Sequence, residues 1–557
     1  MQERLTLHEK LHAVPLMRAL VPMIVGIVCG SYVDISLYIW TIAAAVCFVM
    51  AWLALASRSC RNGDGRRRAH DVSSSITTIY ISLTILFFGA ALACAHTPRP
   101  IIPQGERVWM ELQITDNPTH RPDRRSASTS GIAIRWRPDR IGETGAGGVA
   151  NKNSISAPEH TLEWFSAGER LLVSFDTMYR FEAGQRVVFR GYVNPIGGST
   201  SAAGIDTLNS SDTESYSRLM KARGYTGRTY ISQFSHPDIS YEARKNVKTA
   251  ITKLQTVATQ RLNRLLVTPD EFAIATAMTT GDRTAIAPEL REAYSRIGAS
   301  HLLAVSGLHV GIVFVIVNVL LYLLPFFPRG HIIKNLVAIV AIWCYAALTG
   351  LSPSATRAAF MFTGAQVGFA TSRHRSTTNV MCGTAMVMLA VRPGLLFDIS
   401  FQLSFIAVAA ILAWFSPLYR LVRSRFRILN ALWATLLVGF VASLATMPLV
   451  SHTFGVFSPV GIVLNPLIIT TAHLIVIFSL VWIIAPVAAL EPLFRWLVGA
   501  PAWLQNRVVE ASSAVPEAAI EYTLPLWAVF AIYATMIIFT AWLAGRPREE
   551  EPFVLPR

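Results

Sequence analysis

Long apolar runs dominate this sequence and restrict the folds that it can adopt. Runs of about 20 mostly apolar residues, the length that an α-helix needs to cross a bilayer, recur between Pro15 and Ala95 and again from Leu302 towards the C-terminus. Hydrophobic residues make up 52% of the chain and charged residues only 15%, which is not the balance of a soluble multidomain enzyme. The sequence therefore predicts a polytopic α-helical membrane protein.

The apolar runs fall into two groups, separated by a polar insert. The first group predicts spans at Pro15–Tyr32, Leu37–Ala56 and Ile76–Ala95. The second group predicts spans at Leu302–Leu324, Leu336–Leu348, Ala359–Ala370, Thr378–Val391, Ser400–Phe415, Ala431–Val450, Val460–Ile484 and Leu524–Ala544, whereas Leu490–Val509 is amphipathic. Several of these runs are short, which is tolerated where protein or an aqueous cavity covers the freed backbone groups. The pattern indicates a polar cavity.

The net charge of +15 lies mainly in the loops of the membrane region rather than in the insert. Arginines cluster between two N-terminal spans and again around residues 420–427. Loops rich in Lys and Arg are typically cytoplasmic. The third span then delivers the insert to the opposite side, so residues 96–248 are predicted to be extracytoplasmic. The sequence leaves the side of the C-terminus open.

Short alternating runs in the insert, Val108–Ile114, Gly131–Trp136, Glu169–Phe175 and Gln185–Val193, predict strands of a small β barrel or sandwich. Five aromatic residues are able to stack nucleic-acid bases but are more often core residues on short strands; they are Trp136, Phe175, Tyr179, Phe189 and Tyr192. The predicted domains are residues 1–95 (three spans), 96–248 (β domain), 249–300 (linker helices), 301–545 (membrane domain) and 546–557 (polar tail).

The linker is predicted to hold three helices. Lys245–Leu266 reads as an amphipathic surface helix. Thr268, followed by proline and two acids, indicates a helix start capped by the threonine hydroxyl and ending at Gly281. A further helix is expected from Pro288 to about Gly298.

Four polar segments interrupt the second apolar group. They contain His301, Ser306, Gly307 and His309; Ser354 and Arg357; Asp398, Gln402 and Ser404; and Asn465. Single segments of this kind serve as packing networks between membrane helices, and Arg357 and Asp398 are able to pair with each other. Four segments together favour a polar passage.

The motifs resemble those of the ComEC family of competence proteins. His301-Leu-Leu-Ala-Val-Ser-Gly-Leu-His309 is similar to the family signature, and Thr280-Gly-Asp-Arg283, Leu348 to Ala359, Arg392 to Phe405 and Asn465-Pro466 resemble its core in the same order. The segment ending at Tyr225 resembles the family's extracytoplasmic OB-like domain. The resemblance implies an inner-membrane channel that moves single-stranded DNA into the cell during natural transformation.

The resemblance also implies partners and one difference. A cytosolic motor or helicase, or an ion gradient, would drive transport, and an extracytoplasmic receptor would deliver DNA; the oligomeric state stays open. Many family members continue into a metallo-β-lactamase-like domain, whose His-x-His-x-Asp-His run is missing from these 557 residues. The sequence thus corresponds to the form without that domain, and another protein is expected to degrade the second strand.

Enzyme functions receive less support. The rival hypothesis is an intramembrane serine hydrolase, with Ser306 as the nucleophile and a histidine as the base. No catalytic residue, metal site or cofactor is predicted: the His8-Glu-x-x-His12 pattern has no third ligand nearby. The chain also contains no Gly-x-x-x-x-Gly-Lys-Ser/Thr run for nucleotide binding.

Overall fold

The computed structural model describes residues 15–33, 35–61, 67–97, 100–115, 119–120, 126–139, 164–179, 181, 184–196, 217, 220–221, 224–232, 237–240, 247–266, 268–303, 305–322, 330–371, 376–422, 425–515 and 519–545. The chain divides into two compact units. One comprises residues 1–92, 251–392 and 399–557, and the other comprises residues 93–250 with 393–398. The polar tail, the His8–His12 pattern and residues 62–66 of the first arginine-rich loop lie outside the described residues.

The first unit is helical. Its helices are α1 (Pro15–Tyr32), α2 (Leu37–Arg61), α3 (Arg67–His96), α4 (Val247–Leu265), α5 (Pro269–Thr280), α6 (Pro288–Arg296), α7 (Gly307–Leu320), α8 (Gly330–Leu348), α9 (Pro353–Thr371), α10 (Thr377–Val391), α11 (Ile399–Tyr419), α12 (Arg427–Phe454), α13 (Pro459–Ile484), α14 (Glu491–Ser513) and α15 (Leu526–Gly545). Six stretches within α1, α2, α3, α11, α12 and α13 are long and apolar enough to cross a membrane, and α7, α8, α10 and α15 contain shorter apolar stretches. The chain is a multi-pass helical membrane protein, as the sequence predicts.

One predicted span is wrong at its start. Leu302–Leu324 is not one continuous helix, because residues 301–303 form turns and α7 begins at Gly307. Ser306 has extended backbone (φ −102°, ψ 168°) and caps the helix. The polar residues of this apolar run therefore lie at a helix start rather than within a span.

The linker helices α4, α5 and α6 confirm the predicted ones, with one difference. Gly281 ends α5 in the left-handed region (φ 79°), which glycine adopts without strain. Thr268 precedes α5, but its hydroxyl makes no capping hydrogen bond. Instead, Gln255 on α4 donates to the Thr280 carbonyl at 3.1 Å, so a side chain of the amphipathic helix satisfies the end of α5.

Glycines bring α1 and α3 into close contact. A Cβ added to Gly26 would lie 1.9 Å from the Leu86 carbonyl oxygen, and one added to Gly30 would lie 2.3 Å from the Ala90 oxygen. Membrane helices use such a Gly-x-x-x-Gly spacing where backbones touch.

The last helix, α15, runs parallel to α11 and antiparallel to α12. Trp414, near the end of α11, donates its indole N–H to Thr540 Oγ1 near the end of α15, at 2.8 Å. Tyr533, near the start of α15, donates to the Ala445 carbonyl on α12 at 3.2 Å. Strands β8 (Val456–Phe457) and β9 (Ile520–Glu521) also pair, next to the end of α12 and the start of α15. The end of α15 thus lies on the same side as the arginine-rich loop that follows α11.

This direction predicts the side of the membrane on which α15 ends. In a cysteine-free background, we expect a membrane-impermeant thiol reagent to label Leu421→Cys and Gly545→Cys from the same side, and Tyr522→Cys from the other. Labelling of Gly545→Cys together with Tyr522→Cys would contradict the arrangement. Because arginine-rich loops are cytoplasmic, the expected side for Gly545 is the cytoplasm.

The second unit is a small barrel. Its strands are β1 (Arg107–Ile114), β2 (Thr119–His120), β3 (Ser126–Pro138), β4 (Phe165–Asp176), β5 (Arg186–Asn194), β6 (Tyr225–Ile231) and β7 (Asp238–Ser240). The order is β1-β3-β4-β6-β5, and β5 returns to pair with β1, so these strands close on themselves. All pairs in this ring are antiparallel except β4 with β6. The predicted strands are confirmed, and β6 is one that alternation did not reveal.

Alternating side chains fill the barrel. Val108, Met110 and Leu112 of β1 are fully buried, as are Phe175 and Phe189. Phe175 and Phe189 are therefore core residues, the more frequent role for aromatics on short strands. Trp136 and Tyr179 pack partly buried against the same core, whereas Tyr192 is 49% exposed.

Candidate functional site

Ser306 and His309 form a reciprocal cap at the start of α7. The Ser306 backbone N–H donates to His309 Nδ1 at 3.0 Å, and Ser306 Oγ lies 3.3 Å from the same nitrogen. A side chain at the third helical position that accepts from the capping residue's amide is one half of a capping box. This role explains the pair without catalysis. A hydrolytic base would need that nitrogen to take the serine proton, and here it already accepts a hydrogen bond.

The cap defines the tautomer of His309. Because Nδ1 accepts a hydrogen bond, the neutral ring carries its proton on Nε2. His309 is fully buried, and its Nε2 has no hydrogen-bond partner among the described residues. A buried donor of this kind is costly to leave unsatisfied. It therefore marks a position where a ligand or a water is able to bind.

Two more histidines lie close enough to act electrostatically on His309: His301 in the preceding loop and His473 on α13. His301 Nδ1 lies 3.1 Å from the Gly298 carbonyl, and His473 Nδ1 contacts the Ile469 carbonyl. Carbonyls only accept, so both neutral rings keep a lone pair on Nε2. Across the described part of the chain, no group of three or more His, Cys, Asp or Glu side chains is arranged to hold a metal ion.

Arg357 joins the second polar segment to the third. It lies on α9, is 3% exposed, and donates from Nη2 to Ser400 Oγ on α11 at 2.7 Å. The start of α7 packs against the next residue of α9, since a Cβ added to Gly307 would lie 3.6 Å from the Cβ of Ala358. That distance is ordinary contact. The backbones approach closely at Gly461, where an added Cβ would lie 2.1 Å from the Ile297 carbonyl oxygen.

The other predicted site residues lie on the same helices or beside them. Ser354 is half-buried in the first turn of α9, and Gln402 and Ser404 are half-buried on α11. Asn465 is buried on α13, where its Cβ lies 3.9 Å from a Cβ added to Gly439 of α12. Asp398 is buried and belongs to the unit that holds the barrel; its pairing with Arg357 stays a prediction.

A buried polar network that the sequence analysis missed connects α6, α13 and α14. The Tyr294 hydroxyl donates to Asn506 Oδ1 and accepts from Gln505 Nε2, both at 3.0 Å. Thr471 donates to Gln505 Oε1 at 2.9 Å. Burial raises the pKa of Tyr294, so its hydroxyl remains a neutral donor. The available signal was the position of Gln505 and Asn506 on the same helix face as Ala502 and Val509.

Replacing Tyr294 with phenylalanine is expected to lower the free energy of unfolding by about 1–3 kcal/mol, because two buried amide groups lose their partner. The measurement is the thermal unfolding midpoint of the purified chain in detergent. Tyr522→Phe, at a 59% exposed position, is the matched control. Equal midpoints for the two variants would show that the network contributes little.

One face of the barrel interleaves arginines with aromatic rings. Trp109 on β1 pairs in register with Arg137 on β3 and with Arg190 on β5. The Arg137 guanidinium lies 5.4 Å from the Trp109 ring centre and 5.0 Å from that of Trp164, and Arg135 lies 4.8 Å from Trp164. Such distances are typical of cation–π contacts.

Two carboxylates neutralise only part of this face. Glu111 pairs with Arg135 and with Arg186, the latter at 3.2 Å. Asp139 pairs with Arg190 and lies 4.0 Å from Arg107. Arg137 Nε, in contrast, has no hydrogen-bond partner among the described residues. The face therefore carries an excess of positive charge beside the stacked rings.

The membrane part of the chain is similar to known competence proteins. A family model described as "Competence protein" matches residues 278–546. "ComE operon protein 3" of Bacillus subtilis (strain 168) is 31% identical over 204 residues, which cover 37% of this chain and 25% of that protein. An "Uncharacterized protein" of Aquifex aeolicus (strain VF5) is 32% identical over 181 residues, which cover 32% of this chain and 40% of that protein. No solved structure matches.

The family-model match spans the polar segments described above. The chain aligns with only about a quarter to two fifths of the length of these curated relatives. Residues 278–546 contain α7 to α15 with the Ser306–His309 cap and the Arg357–Ser400 contact. Residues 278–546 of this chain accordingly match the family of competence proteins, and the chain is similar over 204 residues to a protein of that kind.

Proposed function

We propose that the chain carries single-stranded DNA across the cytoplasmic membrane during natural transformation. The observation that carries the proposal is Arg357, a buried cation on α9 that donates to Ser400 on α11. Ionisable residues within membrane helices usually line a substrate pathway. A phosphate backbone in transit needs such cations and hydrogen-bond donors, shielded from lipid.

Each polar segment has a proposed role. Arg357 binds phosphate oxygens, and Ser354 and Ser306 supply hydroxyl donors. His301 and His309 line the same path, with Gly307 exposing backbone N–H at the start of α7. Four more residues line the path further along: Asp398, Gln402, Ser404 and Asn465. Of these, Asp398 orients Arg357 or gates the passage.

The barrel is proposed to receive the DNA outside the cell membrane. Without the short strands β2 and β7, five strands remain. Counted along the chain, they pair in the order first, second, third, fifth, fourth and back to the first, and the third (β4) and fifth (β6) are parallel. This topology supports an OB-like domain, a fold that binds single strands through aromatic stacking and a positive groove. The arginine and tryptophan face on β1, β3 and β5 supplies both features.

Transport also needs a driving force and delivery. A cytosolic motor or helicase, or an ion gradient, is proposed to move the strand, and an extracytoplasmic receptor to deliver DNA to residues 96–248. Membrane lipids surround the helices. These partners follow from the proposed transport.

The experiment is uptake of fluorescently labelled DNA by competent cells of the source organism with and without the gene. We expect cells without the chain to hold labelled DNA in a nuclease-accessible outer compartment and to lack labelled strand in the cytosol, and re-expression to restore entry. Normal cytosolic entry without the chain would overturn the proposed function.

A further inference from the structure

The neutral cap at His309 is incompatible with a protonated ring. An imidazolium carries N–H groups on both nitrogens and accepts nothing. Protonation of His309 would therefore remove the hydrogen bond from the Ser306 amide, which has a length of 3.0 Å, and would set two N–H groups against each other. The described conformation is that of neutral His309.

The surroundings of His309 also disfavour positive charge on its ring. The start of a helix carries a partial positive charge, and His309 lies in the first turn of α7. Helices α8, α9 and α13 pack against α7. The ionisable side chains described on these helices and in the preceding loop are Lys334, Cys344 and Tyr345 on α8, Arg357 on α9, His473 on α13 and His301; the set includes no carboxylate.

An anion at the same place reverses this balance. A phosphate near α7 would attract an imidazolium, accept a hydrogen bond from the buried Nε2–H of His309 and bind the exposed helix start. Two ligands that each favour the other's binding are coupled by the same free energy in both directions. The proton and the phosphate would form such a pair.

We propose that His309 takes up a proton when a DNA phosphate binds at the start of α7, so that strand binding and proton binding are coupled. This inference rests on the proposed function, because it assigns the proton as a second ligand of the same site. Proton uptake breaks the Ser306–His309 cap, and release of the phosphate restores it. Protons would thus be drawn into the site with each strand that enters.

The test uses the purified full-length chain in lipid nanodiscs and a labelled single-stranded oligonucleotide. For the unaltered chain, we expect the Kd to rise by up to about tenfold per pH unit above neutrality, the limit for one linked proton. Oligonucleotide addition in weakly buffered solution should also consume protons, read with a pH indicator.

His309→Gln separates the cap from the proton. Glutamine at this helical position accepts from the capping residue's amide as histidine does, but it does not titrate. We expect the variant to keep its helix content, to bind the oligonucleotide more weakly than the unaltered chain below neutral pH, to flatten the pH dependence of the Kd and to consume about one proton fewer per bound strand. His452→Gln, on α12, is the control and should behave like the unaltered chain.

The outcomes separate this inference from the function on which it rests. Binding with the same pH dependence and proton uptake in His309→Gln would overturn the proton coupling and leave DNA transport standing. Binding without any proton uptake by the unaltered chain would do the same, even where the variant fails to fold. Absence of oligonucleotide binding at every pH would overturn the function and the coupling together.

Discussion

Replacing Arg357 with alanine is expected to reduce DNA entry into the cytosol by about a hundredfold, which corresponds to roughly 2.7 kcal/mol. Hydrogen bonds to charged groups contribute about 1.5–3 kcal/mol each, and their loss inside a protein leaves the partner unsatisfied. Arg357 is 3% exposed and bonds Ser400 on a neighbouring helix. Its removal therefore takes away the cation that we propose to bind phosphate and a link between α9 and α11.

The measurement is labelled strand in the cytosol at equal protein levels in the membrane. Arg420→Ala, in the arginine-rich loop, is the control, and we expect near-normal entry because that residue carries charge outside the proposed path. Arg357→Lys keeps the charge but not the planar guanidinium. We expect its DNA entry to lie between that of Arg357→Ala and that of Arg420→Ala. Full entry with Arg357→Ala would remove this residue from the DNA path.

Composition and periodicity predicted the helical membrane class and the four main strands, because both signals arise from burial of one face or of a whole segment. They failed at the start of α7. The run from Leu302 is predominantly apolar, but the break before Gly307 depends on a hydrogen bond between Ser306 and His309, three residues apart. Hydropathy alone does not register such a local hydrogen bond.

Contacts between residues far apart in the sequence could not be predicted from hydrophobic periodicity either. Tyr294 meets Gln505 and Asn506 more than two hundred residues later, and only the packing of α6 on α14 brings them together. On the barrel, Trp109 and Trp164 were missed because nothing in the sequence indicates which strands are neighbours. Arg357 was predicted, since a charge directly before an apolar run is conspicuous in any sequence.

The Arg137–tryptophan stack leads to a second prediction with a large expected effect, on DNA binding by the barrel. Base stacking on an aromatic side chain contributes about 1–3 kcal/mol per base. We expect Trp164→Ala to weaken binding of a single-stranded oligonucleotide by the full-length chain roughly tenfold, which is about 1.4 kcal/mol. Arg137→Ala should weaken binding uniformly across sequences and reduce the salt slope of log K by about one, as loss of a phosphate contact does.

The control comes from another part of the same barrel. Arg170 on β4 stacks on Tyr225 of β6 at 5.1 Å, so Arg170→Ala also removes a charge and a cation–π contact, but not one on β1, β3 or β5. Binding that is weakened equally by Arg170→Ala and Arg137→Ala would mean that DNA responds only to the total charge of the domain. If the salt slope of log K is reduced in Arg137→Ala but not in Arg170→Ala, the phosphate contact lies on the face of β1, β3 and β5, where Arg137 contacts the rings of Trp109 and Trp164.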